Sequence, residues 1–192
     1  MITKPTYSQE KIGEYLICYG QNQNECKYII YLHEKVVNKG ICSTKEKARK
    51  AVENFISTRK KDMVSKRVDG IPTSQEFVEA INAIKPSDNQ WEMLKAHYHA
   101  PNRKLTSSQL AEAAGFQHFY AANTQYGTLG REIARYLEIN PLGKYKNGDP
   151  LWITTITEEN SESIDLDTGH YQHILRDEVA EALEVLGVTI KP

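Results

Sequence analysis

The chain has 192 residues, 40% of them hydrophobic and 26% charged, and 24 basic against 25 acidic side chains leave a formal net charge of −1. This composition is typical of a globular protein and argues against a disordered, low-complexity or solenoid chain. The first fifteen residues lack an apolar run before a small-residue cleavage site, and no stretch approaches the ~20 apolar residues that span a bilayer. We therefore expect a cytoplasmic protein with no membrane partner.

The near-neutral total hides an uneven distribution of charge. Residues 44–68 carry nine basic and three acidic side chains, whereas residues 158–192 carry nine acidic and two basic ones. This asymmetry suggests that one end meets phosphate and the other avoids it, with an ordinary solvated helix face as the alternative. Lys60 and Lys61 are the candidate phosphate contacts in the basic segment. Docking of this segment onto the acidic C-terminal helix is equally compatible with the sequence.

The three cysteines, Cys18, Cys26 and Cys42, are odd in number and show no C-x-x-C spacing. Neither a disulfide framework nor a zinc ribbon is indicated, so we predict reduced, mostly buried thiols.

Five Ser or Thr residues are each followed three residues later by Glu or Gln, the spacing of a capping box at a helix N-terminus. The pairs are Thr6/Gln9, Ser43/Glu46, Thr73/Glu76, Ser87/Gln90 and Thr106/Gln109. Together with the apolar spacing that follows each pair, they predict helices over residues 7–19, 44–59, 74–84, 88–99 and 107–114.

The segment Cys26–Ile41 is ambiguous. Its apolar run over residues 28–32 suits a buried strand, but its length and Gly40 as a terminator also suit a helix. The helix is the favoured interpretation.

After Gly115, apolar residues recur at steps of three or four and predict one long helix ending near Glu138. They are Phe119, Ala122, Tyr126, Leu129, Ile133 and Leu137. Gly127 and Gly130 interrupt this pattern, and each costs about 1 kcal/mol relative to alanine inside a helix. Either the helix breaks there, or something approaches its backbone closely.

Beyond Pro141 the pattern changes to strands and turns. We predict a strand over residues 151–157, a hairpin of residues 163–166 and 170–175, and a closing helix over 177–186 that stops at Gly187. The predicted fold is mainly α, of the α+β class. A basic helical N-terminal region, residues 1–85, is joined near Lys85–Pro86 to a winged helix-turn-helix domain with a small antiparallel sheet, residues 86–192.

In that domain the helix after Gly115 would enter the DNA major groove. Its first turns carry amide and small side chains, which read base edges, while nearby cations contact the backbone. The base-reading candidates are Gln117, His118, Tyr120, Ala121, Asn123, Thr124, Gln125 and Thr128, and the flanking candidates are Arg103, Lys104, Thr106, Arg131, Lys144 and Lys146. A scaffold that uses the same surface for a protein partner is the alternative.

Aromatic residues beside this helix offer a second possibility, because aromatic walls hold flipped or methylated bases. Tyr120, Tyr126, Trp152 and Tyr171 are the candidates, but core packing explains most aromatic residues better. Tyr126 lies on the apolar stripe, and only Tyr120 is expected to be exposed.

Several motifs carry a resemblance to a known module. They are Leu105-Thr106, Gln109-Leu110-Ala111, Ala114-Gly115, Ala121-Ala122-Asn123, Gln125-Tyr126-Gly127, Leu129-Gly130-Arg131, Trp152, Thr168-Gly169, His173, Leu175-Arg176, Glu178-Val179-Ala180, Ala182-Leu183 and Leu186-Gly187. Residues 87–190 thereby resemble a bacterial module found beside HNH nuclease domains in restriction-type proteins. The resemblance implies recognition of DNA, including modified DNA, in defence against foreign genomes. No HNH-type cluster is present, so cleavage would come from a nuclease subunit in trans.

No catalytic motif is evident, and we predict neither an enzyme nor a cofactor. The strand over 151–157 is followed by Glu158-Glu159-Asn160, without the lysine of a PD-(D/E)xK nuclease. His97 and His99 would point to opposite sides of a helix and make a poor zinc pair. The rival interpretations are a protein-interaction factor, such as an anti-defence or immunity protein, and a transcriptional regulator.

Overall fold

The computed structural model describes residues 6–141, 143–159, 163 and 171–188. The chain divides into two compact units, Met1–Gly70 and Ile71–Pro192. The division therefore falls ahead of the predicted linker at Lys85–Pro86, and the helix before that linker belongs to the second unit. The first unit carries 14 basic and 8 acidic side chains, and the second carries 10 basic and 17 acidic ones.

The first unit is an antiparallel sheet of four strands in chain order, followed by one helix. The elements are β1 (Thr6–Ile12), β2 (Tyr15–Gln21), β3 (Cys26–Leu32), β4 (Lys35–Cys42) and α1 (Lys45–Ser65). The prediction of a helical N-terminal region is therefore wrong, and the protein is a mixed α+β chain. The helices predicted over residues 7–19 and 26–41 are both replaced by strand pairs.

Strands form here because buried and exposed residues alternate along the chain and because two of the turns between them adopt left-handed conformations. Ile17 and Tyr19 on β2 are buried on the side of the sheet that packs against α1, while their strand neighbours face the other way. Gly13, with φ of +56°, forms the first turn. His33 and Glu34 form the third turn with φ of +47° and +66°, a left-handed pair that usually requires Asn or Gly. The sequence therefore carries little sign of the β3–β4 hairpin.

The β3–β4 pair contains a bulge. Ile30 pairs with Asn38 and Tyr31 pairs with Val36, so Val37 is the extra residue. Val37 packs against the core between the sheet and α1. The N-cap of helix α1 is one residue later than predicted. The side chain of Thr44, rather than that of Ser43, accepts a hydrogen bond from the Lys47 amide.

The second unit contains five helices and three short strands among the residues that the structure describes. They are α2 (Ser74–Ile84), α3 (Asp88–His99), β5 (Lys104–Leu105), α4 (Ser107–Ala113), α5 (Phe119–Leu137), β6 (Thr157–Glu158), β7 (His173–Leu175) and α6 (Asp177–Val185). The helices predicted here are confirmed to within two residues. The capping boxes at Thr73, Ser87 and Thr106 are all formed.

The core of this unit is built around α5. Tyr126, Leu129 and Ile133 are fully buried, and they belong to one cluster with Phe77 of α2 and Leu183 of α6. The three strands form an antiparallel sheet in the order β5, β7, β6. Glu138 ends α5 in a left-handed conformation, and the predicted helix end near this residue is confirmed.

The strand predicted over residues 151–157 is mostly wrong. Residues Trp152–Thr155 form a 3₁₀ turn, and only Thr157–Glu158 is extended. The Thr154 and Thr157 hydroxyls donate to the carbonyls of Leu151 and Ile153, and these local bonds favour a turn over a strand. Of the predicted hairpin, residues 164–170 lie outside the described residues. Residues 173–175 are extended, and they pair with β5 and β6.

Candidate nucleic-acid interface

The residues just before α5 and its first two turns form an exposed surface. Gly115, with φ of +72°, makes the turn after α4, and the Phe116 amide donates to the Ala111 carbonyl to close it. His118 precedes the helix without a side-chain cap. The exposed residues of this surface, which we call the α5 face, are Gln117, His118, Phe119, Tyr120, Asn123 and Thr124.

Two aromatic residues at the start of α5 form a pair that the sequence did not predict. Helical spacing predicts that Phe119 lies on the buried stripe, but the residue is 43% exposed. Its ring stacks on Tyr120 with ring centroids 4.2 Å apart. Tyr120 is exposed, as predicted, and Tyr126 is buried, as predicted. Tyr171, another of the aromatic candidates, has contacts within the unit. Its hydroxyl donates to Glu159, and its ring lies edge-on to His173.

The two glycines of α5 have different surroundings, and the helix continues through both. A Cβ added at Gly130 would clash with the carbonyl oxygen of Trp152, so Gly130 allows the 3₁₀ turn to pack on the helix. A Cβ added at Gly127 would meet nothing within 4 Å in the described chain. Gly127 lies on the same side of α5 as the α5 face, one turn beyond Asn123 and Thr124. The described part of the chain therefore supplies no steric reason for Gly127.

Two of the predicted base-reading residues have internal contacts. The Gln125 backbone carbonyl accepts a hydrogen bond of 3.2 Å from the Gln90 side chain, and Gln125 is half-buried. The Thr124 hydroxyl donates to the Tyr120 carbonyl. Arg131 is half-buried, and its Nε is enclosed without a hydrogen-bond acceptor among the residues that the structure describes. Gln117, His118, Tyr120 and Asn123 remain the most accessible members of the predicted set.

The flanking cations differ in how they are engaged. Arg103 pairs with Asp177 at 2.6 Å and lies over the Tyr98 ring, so its charge is largely used within the unit. Lys104 is half-buried in β5. Lys144 and Lys146 are exposed in the turn after α5. Lys60 and Lys61 are exposed on α1 of the first unit.

Thr106 has a structural role that the sequence also signalled. Its hydroxyl caps α4 by accepting the Gln109 amide at 3.2 Å, and the Gln109 side chain accepts the Thr106 amide at 2.8 Å in return. The cap explains Thr106 without any ligand.

We expect Thr106→Ala to lower the free energy of unfolding of the second unit by about 1 kcal/mol, because the cap is lost. Both tryptophans, Trp91 and Trp152, lie in this unit, so urea unfolding followed by tryptophan fluorescence measures its stability. Thr106→Ser keeps the cap and serves as the control. Unchanged stability in Thr106→Ala would contradict this structural role.

Behind this surface lies a buried histidine network that the sequence did not predict. His97 is fully buried, and its Nε2 lies 2.9 Å from the His173 carbonyl, which can only accept, so Nε2 carries the proton. Nδ1 therefore accepts from the Tyr126 hydroxyl at 3.0 Å. The His173 ring lies 3.1 Å from the Ser107 hydroxyl and thereby links β7 to α4. The network fixes α3, α4, α5 and β7 with neutral imidazoles.

Burial lowers the pKa of both His97 and His173 to about 4. His97 and His99 do not converge on a metal site, and no group of three or more His, Cys, Asp or Glu residues in the described ranges could hold a metal ion. None of the described helices is sufficiently long and apolar to cross a bilayer. Comparisons with protein-family models, curated proteins and solved structures give no match.

Proposed function

We propose that the second unit binds double-stranded DNA through the α5 face, in the manner of a winged helix. The order α3, β5, α4, α5, β6, β7 and the sheet order β5-β7-β6 support this interpretation. So does the tight turn at Gly115, which joins α4 to the proposed recognition helix.

The main support for the proposal is the presence of a glycine at position 127 of the helix. A glycine inside a helix costs about 1 kcal/mol relative to alanine, and no atom of the described chain requires one at this position. Close approach of a ligand to the helix backbone supplies the missing reason. The adjoining α5 face presents amide and hydroxyl groups, which match base edges rather than bulk phosphate.

The charge balance fits base reading better than bulk attraction. With 10 basic and 17 acidic side chains, the second unit has a net repulsion for a polyanion. Its affinity would come from bidentate contacts of Gln117 and Asn123 with adenine and from local cations such as Lys144 and Lys146. Weak non-specific binding and strong dependence on the base sequence follow from this arrangement.

The resemblance to modules of restriction-type proteins extends the proposal to modified DNA. Exposed Tyr120 supplies an aromatic surface beside the base-reading residues, as recognition of a methylated base requires. In this proposal the chain is a reader without catalytic activity, and a nuclease subunit in trans performs any cleavage.

Gly127→Leu tests the proposal most directly. The side chain would project into open space, so we expect the fold to be kept and duplex binding to weaken at least about tenfold, because the leucine separates the helix from the groove floor. Asn82→Leu places the same side chain on an exposed position of α2 and is the matched control. Fluorescence anisotropy with unmodified, N6-methyladenine and 5-methylcytosine duplexes measures both affinity and preference.

Gln117→Ala and Asn123→Ala in the same assay are expected to reduce the preference among duplexes. Lys60→Glu with Lys61→Glu is expected to weaken binding to all duplexes about equally. Unchanged duplex affinity in Gly127→Leu would contradict the proposal, as would equal losses from both sets of variants on every duplex.

A protein partner is the second candidate, and the stacked Phe119–Tyr120 pair favours it. Exposed aromatic residues of this kind are common anchors in protein interfaces, and a net acidic unit suits a basic partner protein. Co-purification of a stoichiometric protein that Phe119→Ala releases, without salt-sensitive retention of DNA, would support this candidate over the first.

A further inference from the structure

The sheet of the first unit has one face that none of the helices and strands described for this unit covers. Helix α1 packs on the other face, over Ile17, Ile30 and Cys26. The residues of the uncovered face, which we call the sheet face, form three rows across the strands. They are Lys11–Leu16–Tyr31–Val36, Gln9–Cys18–Ile29–Lys39 and Tyr7–Gly20–Lys27–Ile41.

The sheet face is both apolar and basic. Tyr7 is 78% exposed and Ile41 62% exposed, and Val36 and Leu16 are also exposed. Each row contains one exposed lysine, and no row contains an acidic residue. Lys27 pairs with Glu25 in the β2–β3 turn, whose Oε1 lies 3.2 Å from Lys27 Nζ.

Tyr7 is positioned as a platform. A Cβ at Gly20 would lie 3.2 Å from the Tyr7 ring, so the ring lies across Gly20, where no side chain lifts it from the sheet. A cavity of about 330 Å³ adjoins the ring, and Cys18, Lys27 and Ile29 contribute to its lining. This volume is at the lower end of the range for ligand pockets, roughly 300–1,000 Å³.

We propose that the sheet face binds single-stranded nucleic acid, with a base stacked on Tyr7 and phosphates held by Lys11, Lys27 and Lys39. Single strands are bound in this way elsewhere, by aromatic side chains that stack on bases beside cations that follow the backbone. The lysines favour a ligand with several negative charges, and the exposed Tyr7 ring favours a ligand with a planar group that can stack on it. A single strand offers both.

A duplex fits this face less well. Its bases are stacked on each other and offer no ring face to Tyr7. The major groove, about 12 Å wide, admits a helix or a two-stranded ribbon. Four strands at about 4.8 Å spacing extend more than about 14 Å before side chains are added. The site is therefore independent of the duplex-binding proposal for α5.

The test is anisotropy of the full chain with a fluorescent single-stranded oligothymidylate over a series of salt concentrations. We expect Tyr7→Ala to weaken binding about tenfold without changing its dependence on salt, and Tyr7→Phe to bind as the parent does. We expect Lys39→Ala to lower the slope of log affinity against log salt by about 0.7. Since Tyr7 and Lys39 are exposed, these variants should fold normally.

Lys50→Ala is the matched control, because Lys50 is exposed on α1, behind the sheet. Equal effects of Lys39→Ala and Lys50→Ala would overturn the proposal, since binding would then follow charge alone. No binding of the single strand at low salt would also overturn it, as would equal loss of single-strand and duplex binding in Tyr7→Ala. Gly127→Leu should leave single-strand binding unchanged, so failure of either proposal can be recognised separately.

Discussion

Gly130→Ala is expected to destabilise the second unit by about 3 kcal/mol, although alanine is ordinarily the better helix former. The added methyl group would clash with the Trp152 carbonyl oxygen, a backbone atom that cannot move without displacing the 3₁₀ turn. Gly130 is also buried, so the helix has no free side toward which to shift. The measurement is the urea midpoint of the tryptophan fluorescence transition.

Gly127→Ala is the natural control, because it makes the same change one turn away on the same helix. Its methyl group meets open space, so we expect unchanged stability or a gain of up to about 1 kcal/mol. Similar destabilisation in both variants would show that helix geometry, rather than the contact with Trp152, determines the need for glycine.

The second unit is expected to lose stability steeply as the pH falls from about 6.5 towards 4. Burial lowers the pKa of His97 and of His173 to about 4, whereas both titrate near 6.5 in the unfolded chain. In this window the unfolded state binds more protons than the folded state, so acid favours unfolding. The stability is fully present above about pH 6.5, and each histidine accounts for a loss of about 3 kcal/mol on acidification.

The free energy of unfolding, measured by urea titration at several pH values, checks this expectation. His97→Gln removes one titrating group and should flatten the pH dependence by about half, whatever its effect on stability at neutral pH. An unaltered slope in His97→Gln would mean that His97 is protonated without cost in the folded state.

The sequence predicted the second unit far better than the first. Helix starts at Thr73, Ser87 and Thr106 are governed by hydrogen bonds within four residues, so a local pattern was sufficient. The sheet depends on pairing between distant residues, and Thr6 and Gln9 match the capping spacing while lying in β1. The turn at His33–Glu34 lacks the usual glycine or asparagine, so the strongest hairpin signal was missing.

The candidate site shows the same contrast. Helical spacing was enough to place Tyr126 inside and Tyr120 outside. It could not distinguish Gly127 from Gly130, because the contact that requires Gly130 comes from a residue 22 positions later in the chain. The sequence also could not reveal that Asp177 engages Arg103, since the turn before β5 and the start of α6 are brought together only by the fold.

The bulge at Val37 affects the exposed edge of the sheet at β4. An edge strand offers unpaired amides and carbonyls to any other strand, and a long regular edge is a template for aggregation. In β4 the extra residue interrupts the regular spacing of these groups, and Lys35 and Lys39 would meet like charges on a second copy aligned beside them. The same strand that supplies a lysine to the sheet face thus protects the protein against polymerisation through its edge.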